Sequence, residues 1–279
     1  MKLLKIFSIL SLAALVLSGC IDYPIYDKID PRFSQVISLT TDWTNRGEDI
    51  DIPESYTVKV DDNMITLSGI TNSVENLFSE GQYIINIWNT ADNIAISDMT
   101  AIADYTKGYL GWFFTGRQEV AIEKDRDYSI IVAMQQQVRQ LTFELDVVGD
   151  AKDRLMGINA TLSGVAGTLN IDNGMHGAPT EIALTFVEDS LDGKWKVTVR
   201  LLGITDESQI LTLTLNFADD NPSSYMLTSD LSNLLVDFNE DKKTPLTLSA
   251  ILIETPSGAG FETTITDWIT GETSTGMAD

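Results

Sequence analysis

The chain is poor in several things at once, and each shortage narrows what it can be. It has one cysteine, Cys20, and one histidine, His176, in 279 residues. One thiol cannot form an internal disulfide, so the fold must rest on an apolar core. One histidine with no cysteine nearby cannot build a usual zinc site. A serine–histidine–acid triad would have to use His176, in the glycine-rich stretch NGMHGAP, and no nucleophile-elbow motif accompanies it. The natural reading of His176 is a solvent-exposed loop residue. Neither a phosphate-binding glycine loop nor a dinucleotide fingerprint occurs. Basic residues are also scarce: 18 Lys and Arg stand against 41 Asp and Glu, a formal charge of −23. Such a surface repels nucleic-acid phosphates and anionic lipid surfaces.

Long apolar runs are equally scarce. Only residues 6–17, IFSILSLAALVL, form one, behind Lys2 and Lys5. As a helix, twelve residues span ~18 Å, short of a hydrocarbon core of ~30 Å. A positive start, a short apolar run and small residues are the pattern of a secretory signal. Leu17-Ser18-Gly19-Cys20 is more specific. It looks like a lipobox, where bacterial lipoprotein signals are cut just before a cysteine that then carries lipid. Small residues at 18 and 19 admit a peptidase, and a thiolate can be alkylated selectively. The alternative is an ordinary signal peptide with a coincidental cysteine. The expectation is a signal over 1–19, lipidation at Cys20 and a tether over 20–34. Two or three acyl chains hold a protein durably where one does not. Loss of the two signal lysines takes the charge from −23 to −25 and leaves 260 residues, suited to two domains.

What is abundant is alternation of period two, the mark of half-buried strands. LTFELDV (141–147) places Leu141, Phe143, Leu145 and Val147 on one face, and LTLTLNF (211–217) repeats the pattern. Ile182, Leu184 and Phe186 alternate, as do Leu246, Leu248, Ala250 and Leu252, and Phe261, Thr263 and Ile265 ahead of Trp268. YTVKV (56–60), YIINIW (83–88) and DRDYSIIVAM (125–134) read as strands in the first half. Asp62-Asn63 and Asp192-Gly193 suit tight turns, and Asp219-Asp220-Asn221-Pro222 makes a longer break. Two short helices are expected, over 73–81 and over 229–239, the second capped by Ser229 or Asp230. The prediction is an all-β chain of two β-sandwich domains with one or two short helices: 35–137, 138–270, and a tail over 271–279. The glutamine-rich stretch MQQQVRQ (134–140) marks the boundary.

Candidates for chemistry are thin. Asp237, Asn239 and Asp241 alternate like the start of a calcium loop, but Lys242 stands where that loop needs glycine and Leu248 where it needs glutamate. The expectation is a capped helix end, no metal and no cofactor. Trp43, Trp88, Trp112, Trp195 and Trp268 could stack on sugars, and GYLGWFF (108–114) is the cluster most suited to exposure, although core packing is the commoner use of such rings.

Three stretches carry a family resemblance: TTDWTNRGEDIDIPESYTV (40–58), VRQLTFELDVVGDAKDRLMGINATLSGVAGTLNI (138–171) and VDFNEDKKTPLTLSAILIETPSGAGFETTITDW (236–268). Together the chain resembles the FimB-like anchor family, the lipidated minor subunits of fimbrillin-type (type V) fimbriae. The resemblance implies two tandem transthyretin-like β-sandwiches and a non-enzymatic, surface-exposed protein of the outer membrane. It implies a partner, the major fimbrillin, joined by β-strand addition, and an anchor that limits fimbrial growth. In stalk subunits of the wider superfamily a protease cuts after an arginine near the start; Arg32 and Arg46 are the arginines available here, and an anchor should stay uncut. The competing reading is a glycan-binding surface lipoprotein, which needs several aromatic rings in one exposed plane.

Overall fold

The structure is a computed structural model, and it describes residues 36–149, 151–218, 223–257 and 260–271. The signal, Cys20, the tether, Arg32, the 219–222 break and the tail from 272 lie outside the described residues. The first half contains β1 (Ile37–Asn45), β2 (Ser55–Val60), β3 (Asn63–Ser68), β4 (Thr71–Ser73), β5 (Gly81–Trp88), β6 (Ile94–Ser97), β7 (Thr100–Ala103), β8 (Phe114–Ile122) and β9 (Tyr128–Gln136). The second contains β10 (Arg139–Val148), α1 (Ala151–Arg154), β11 (Leu155–Asn170), β12 (His176–Glu188), β13 (Trp195–Leu201), β14 (Ile210–Phe217), β15 (Ser224–Asp230), α2 (Ser232–Leu235), β16 (Leu246–Ser257), β17 (Gly260–Ile265) and β18 (Ile269–Thr270).

The alternating runs form strands, as their pattern requires. Leu141, Phe143 and Leu145 are wholly buried on β10, and Leu211, Leu213 and Leu215 on β14, while the polar residues between them stay half-exposed. In the first half the strand order is β3-β2-β5-β8-β9-β1-β4, and β1 runs parallel to β9. β8 meets β9 only at Phe114–Gln136 and Thr115–Gln135, so the sheet folds over itself at that seam. The enclosed core includes Leu39, Val58, Ile85, Ile87, Phe114 and Val132. The second half runs β15-β14-β11-β12-β13-β10-β16-β17, with β10 parallel to β16. Its seam lies between β12 and β13, which pair only at Val187–Lys196 and Glu188–Trp195.

One element crosses between the halves. The β6–β7 hairpin pairs with β11 through Ile102–Thr168, Ala101–Leu169 and Thr100–Asn170. A third apolar cluster forms beneath it from Trp88, Leu110, Phe113, Val138, Leu169 and Leu202. Tyr105 then ties the same region: its hydroxyl donates to Ala166 O (2.8 Å) and accepts from Leu202 N (3.1 Å).

Three local expectations are corrected. The stretch 73–81 holds only a 3-10 turn, Glu75–Leu77, because Ser73 is already the end of β4. The stretch 229–239 is a single helical turn, since Ser229 and Asp230 finish β15; Asp230 Oδ1 accepts from Ser232 N at 3.0 Å. The first hairpin turns on Asp61-Asp62, not Asp62-Asn63: Val60 pairs with Asn63, and Asp61 takes φ 50°.

Candidate functional site

Two features of this fold can act on something outside the chain. The first is the seam of the second sandwich. Val199, Val197 and Trp195 on β13 pair across to Leu141, Phe143 and Leu145 on β10. Those β10 residues are fully buried, yet the three β13 side chains are only partly covered. β12 leaves β13 after two residue pairs and continues along β11, as β8 leaves β9 after two pairs in the first half. Among the described residues, the edge of β12 over 176–186 and the edge of β13 over 197–201 therefore have no strand partner. A row of half-covered apolar side chains thus lies on β13, the strand that carries one of these unpaired edges. A strand can add to such edges by main-chain hydrogen bonding and seat alternate side chains on that row. The first sandwich differs: Ile130, Val132 and Met134 of β9 are buried at its seam.

The second feature is the joint between the halves, built from the glutamine-rich stretch and the loop over 236–245. Gln136 is buried, and its Oε1 accepts from Gly47 N (2.9 Å) while Nε2 donates to Val138 O (2.8 Å) and Lys242 O (2.6 Å). Arg139 donates to Thr244 O (2.8 Å) and Phe238 O (3.0 Å) and lies over the Phe238 ring. Asn239 closes a two-bond clamp on Ile204, accepting from its N–H and donating to its carbonyl, both at 3.0 Å. A polar cavity of about 490 Å³ opens here, lined in part by Asn45, Gln135, Gln137, His176, Glu240 and Lys242.

Charge at the joint is unusual. Lys242 Nζ donates to Gln137 Oε1 (2.8 Å) and lies 3.2 Å from His176 Nε2. Burial lowers its pKa to about 8, with the charge of Glu240 opposing. Burial, then the charge of Lys242, lowers His176 to about 4, against the hydrogen bond to Leu202 O. Nε2 of His176 lies 3.2 Å from that carbonyl as well. A neutral imidazole nitrogen can donate to Leu202 O or accept from Lys242, not both.

The sequence candidates meet different fates. His176 is not an exposed loop residue; it opens β12, half-buried against Gly203 and Lys242. Asp237 and Asp241 are exposed, Asp241 Oδ1 accepting from Lys243 N and Thr244 N, while Asn239 is committed to Ile204. GYLGWFF offers no exposed aromatic plane, because Phe113 and Phe114 are fully buried and the glycine-flanked segment folds inward. Trp112 is half-buried under the Arg200 guanidinium, 4.2 Å from its ring centre, and Tyr109 alone is well exposed. Trp43, Trp88 and Trp268 are core residues, and Trp195 belongs to the seam. Arg46 is drawn into its own loop, with Nε donating to Ile50 O (2.8 Å). Neither the seam nor the Lys242 cavity was legible from sequence, because each depends on strand pairing far apart along the chain.

Comparison with known proteins fits this geometry. A family model described as the fimbrillin-A associated anchor proteins Mfa1 and Mfa2 matches residues 54–273, across both sandwiches. No curated protein sequence matches the chain. Among solved structures, a candidate adhesin from Bacteroides ovatus superposes with a TM-score of 0.63 at 11% identity, covering 86% of this chain and 96% of that one. The fimbrial anchor protein Mfa2 from Porphyromonas gingivalis gives 0.56 at 10% identity, with 83% and 96% covered. A candidate polysaccharide-binding protein from Bacteroides thetaiotaomicron gives 0.57 at 11%, with 82% and 97% covered. At such identities the likeness is one of fold.

Proposed function

Because the chain belongs to the family of fimbrillin-A associated anchor proteins, we propose that it is the surface anchor of a fimbria. In this reading a lipid on Cys20 holds it to the outer membrane, and a fimbrial subunit adds a strand to it. The observation that carries the reading is the family match across both sandwiches, 54–273. The open β12–β13 seam supports the mode of attachment: it offers two free edges and a half-buried apolar row. The short apolar run ending at Leu17-Ser18-Gly19-Cys20 supports the lipid. Arg46, bonded into its loop, presents no extended cleavage site, which suits a subunit that stays attached. A chain tied to the membrane at one end also stops elongation there, which is the growth-limiting role. The reading assigns the protein no catalysis. It takes 35–137 and 138–270 as its two sandwich units, the β6–β7 hairpin being the part of the first that docks on the second.

The test has two arms. Radiolabelled palmitate should enter the protein and disappear from Cys20→Ala. Fimbriae should be released into the medium by that variant or by deletion of 20–30, and a fimbrial subunit should co-purify with the intact protein. Fimbriae that stay cell-bound after either change would refute the anchor role.

A further inference from the structure

The first sandwich leaves one strand without the usual protection of a sheet edge. β3 stands at the end of its strand order, so among the described residues one side of its backbone has no strand partner. Native edge strands are blunted by charge, proline or a bulge, because a bare edge is a template for another strand. β3 has none of these. Residues 63–74, NMITLSGITNSV, carry no charge, in a chain with 41 acidic and 18 basic residues. Pairing with β2 runs from Asn63–Val60 to Ser68–Ser55 without a register shift. Other free edges are better guarded: β8 carries Arg117 and Glu119, β12 carries Pro179 and Glu181, and β13 carries Lys196 and Arg200. The inward face of β3 is unfinished as well. Ile65 and Leu67 pack on the first core but stay partly exposed, although Val58 and Tyr56 opposite them are buried. Met64, on the other face, is 58% exposed.

We propose that β3 is the interface of a two-fold dimer, in which β3 of a second copy of this chain adds antiparallel to its free edge. The strand is complementary to itself in one register. Opposed residues of an antiparallel pair share a face. With the two-fold axis at Thr66, Ile65 of each copy stands opposite Leu67 of the other, so each half-covered row is continued by apolar side chains. Thr66 then stands opposite Thr66, a favourable pair, and Met64 opposite Ser68. An axis at Ile65 would instead set Leu67 against Asn63. Charge selects the same place. Two chains of −23 repel each other, and they can approach where 63–74 brings no like charges together. Closed two-fold dimers are also the commonest homo-oligomers. One pair of short strands is a small contact, so the dimer is weak, with a dissociation constant of about 10–100 μM. The inference does not depend on the anchor role, and it uses the sandwich that does not hold the open seam.

The test is sedimentation equilibrium of the chain from residue 20 onward, with Cys20→Ala so that no lipid drives association. With β3 unaltered it should show a monomer–dimer equilibrium in that range. Thr66 is exposed, so Thr66→Lys and Thr66→Asp should keep a native circular dichroism spectrum. Each alone should weaken the dimer about fivefold or more, because like charges then face across the axis. An equimolar mixture of the two should restore it to within about twofold, because opposite charges face instead. In the same background Thr66→Cys should give a disulfide-linked dimer on oxidation, whereas Met64→Cys, which faces Ser68, should not. A chain still monomeric at about 300 μM overturns the pairing, whether the edge is then free, held by residues 20–35 or taken by another protein. A dimer that Thr66→Lys leaves unchanged, or that the mixture does not restore, overturns it too, since the contact then lies elsewhere. If a charged variant does not fold, the two cysteine variants decide.

Discussion

Replacing Gln136 by leucine isolates what the joint contributes, because leucine keeps similar bulk and removes every polar contact. Three hydrogen bonds are lost, to Gly47 N, Val138 O and Lys242 O, and they tie three separate segments. At a net 0.5–1.5 kcal/mol each, their loss destabilises by about 3 kcal/mol, and the buried N–H and carbonyls left behind push the value upward. Added apolar burial pushes the other way by less, since the surroundings were built for an amide. Urea denaturation followed by tryptophan fluorescence should show the midpoint falling by about 1 M if m lies near 3 kcal/mol/M. Gln135→Leu is the matched control one residue away. That side chain is exposed and has no partner among the described residues, so its change should stay within about 0.5 kcal/mol. Equal effects from the two substitutions, or a loss below about 0.5 kcal/mol at Gln136, would refute the view that this stretch is a hydrogen-bonded joint.

Other expectations follow from the same contacts. Phe113→Ala empties the centre of the cluster between the halves and should cost about 3–5 kcal/mol by thermal or chemical unfolding. Gly203→Ala places a methyl against the His176 ring and 2.7 Å from Asn239 Oδ1, so an overpacking loss of about 1–3 kcal/mol should appear in the same assay. His176 titrates at about 4 when folded against 6.5 in its reference state. Between those values the unfolded chain binds more protons, so its contribution is intact above pH 6.5 and is lost as pH falls toward 4. His176→Gln should flatten the dependence of the urea midpoint on pH in that window.

How much of this was legible differs from place to place, for physical reasons. Strands with one face on a core announce themselves, because Leu141, Phe143 and Leu145 or Leu211, Leu213 and Leu215 must alternate with polar neighbours. β1 was hidden because Thr41 takes an inward place: it is buried, and its hydroxyl accepts from Trp43 Nε1 (2.8 Å), so a polar residue breaks the apolar count. β13 was hidden because its inward residues are only half-covered and its sequence, WKVTVRL, carries charge. The glutamine run was readable as a polar break between strands, and it lies where β9 ends and β10 begins. Its three members have three different fates, and nothing in QQQ distinguishes the buried Gln136 from the free Gln135. The helix expected over 229–239 is cut to the turn Ser232–Leu235 because β15 pairs with β14 through Asp230, and a sheet partner outweighs weak helical spacing.

The two seams sharpen the anchor reading, because they are unequal although both halves pair a first strand in parallel with a later one. In the first, Val132 is wholly buried; in the second, Val197 is half-covered on a strand with a free edge. A chain that receives one strand needs one open seam, and the second sandwich supplies it. Val197→Lys separates receiving from folding. Lysine can keep its stem on the apolar row and carry its ammonium to the solvent side, so the fold should lose no more than about 2 kcal/mol. Val132→Lys buries the same charge with no exit and should leave the protein unfolded by circular dichroism. Co-purification with a fimbrial subunit should then fail for Val197→Lys while its spectrum stays native. A native Val197→Lys protein that still captures the subunit places the attachment elsewhere, and the half-covered row on β13 would be an ordinary imperfection of packing.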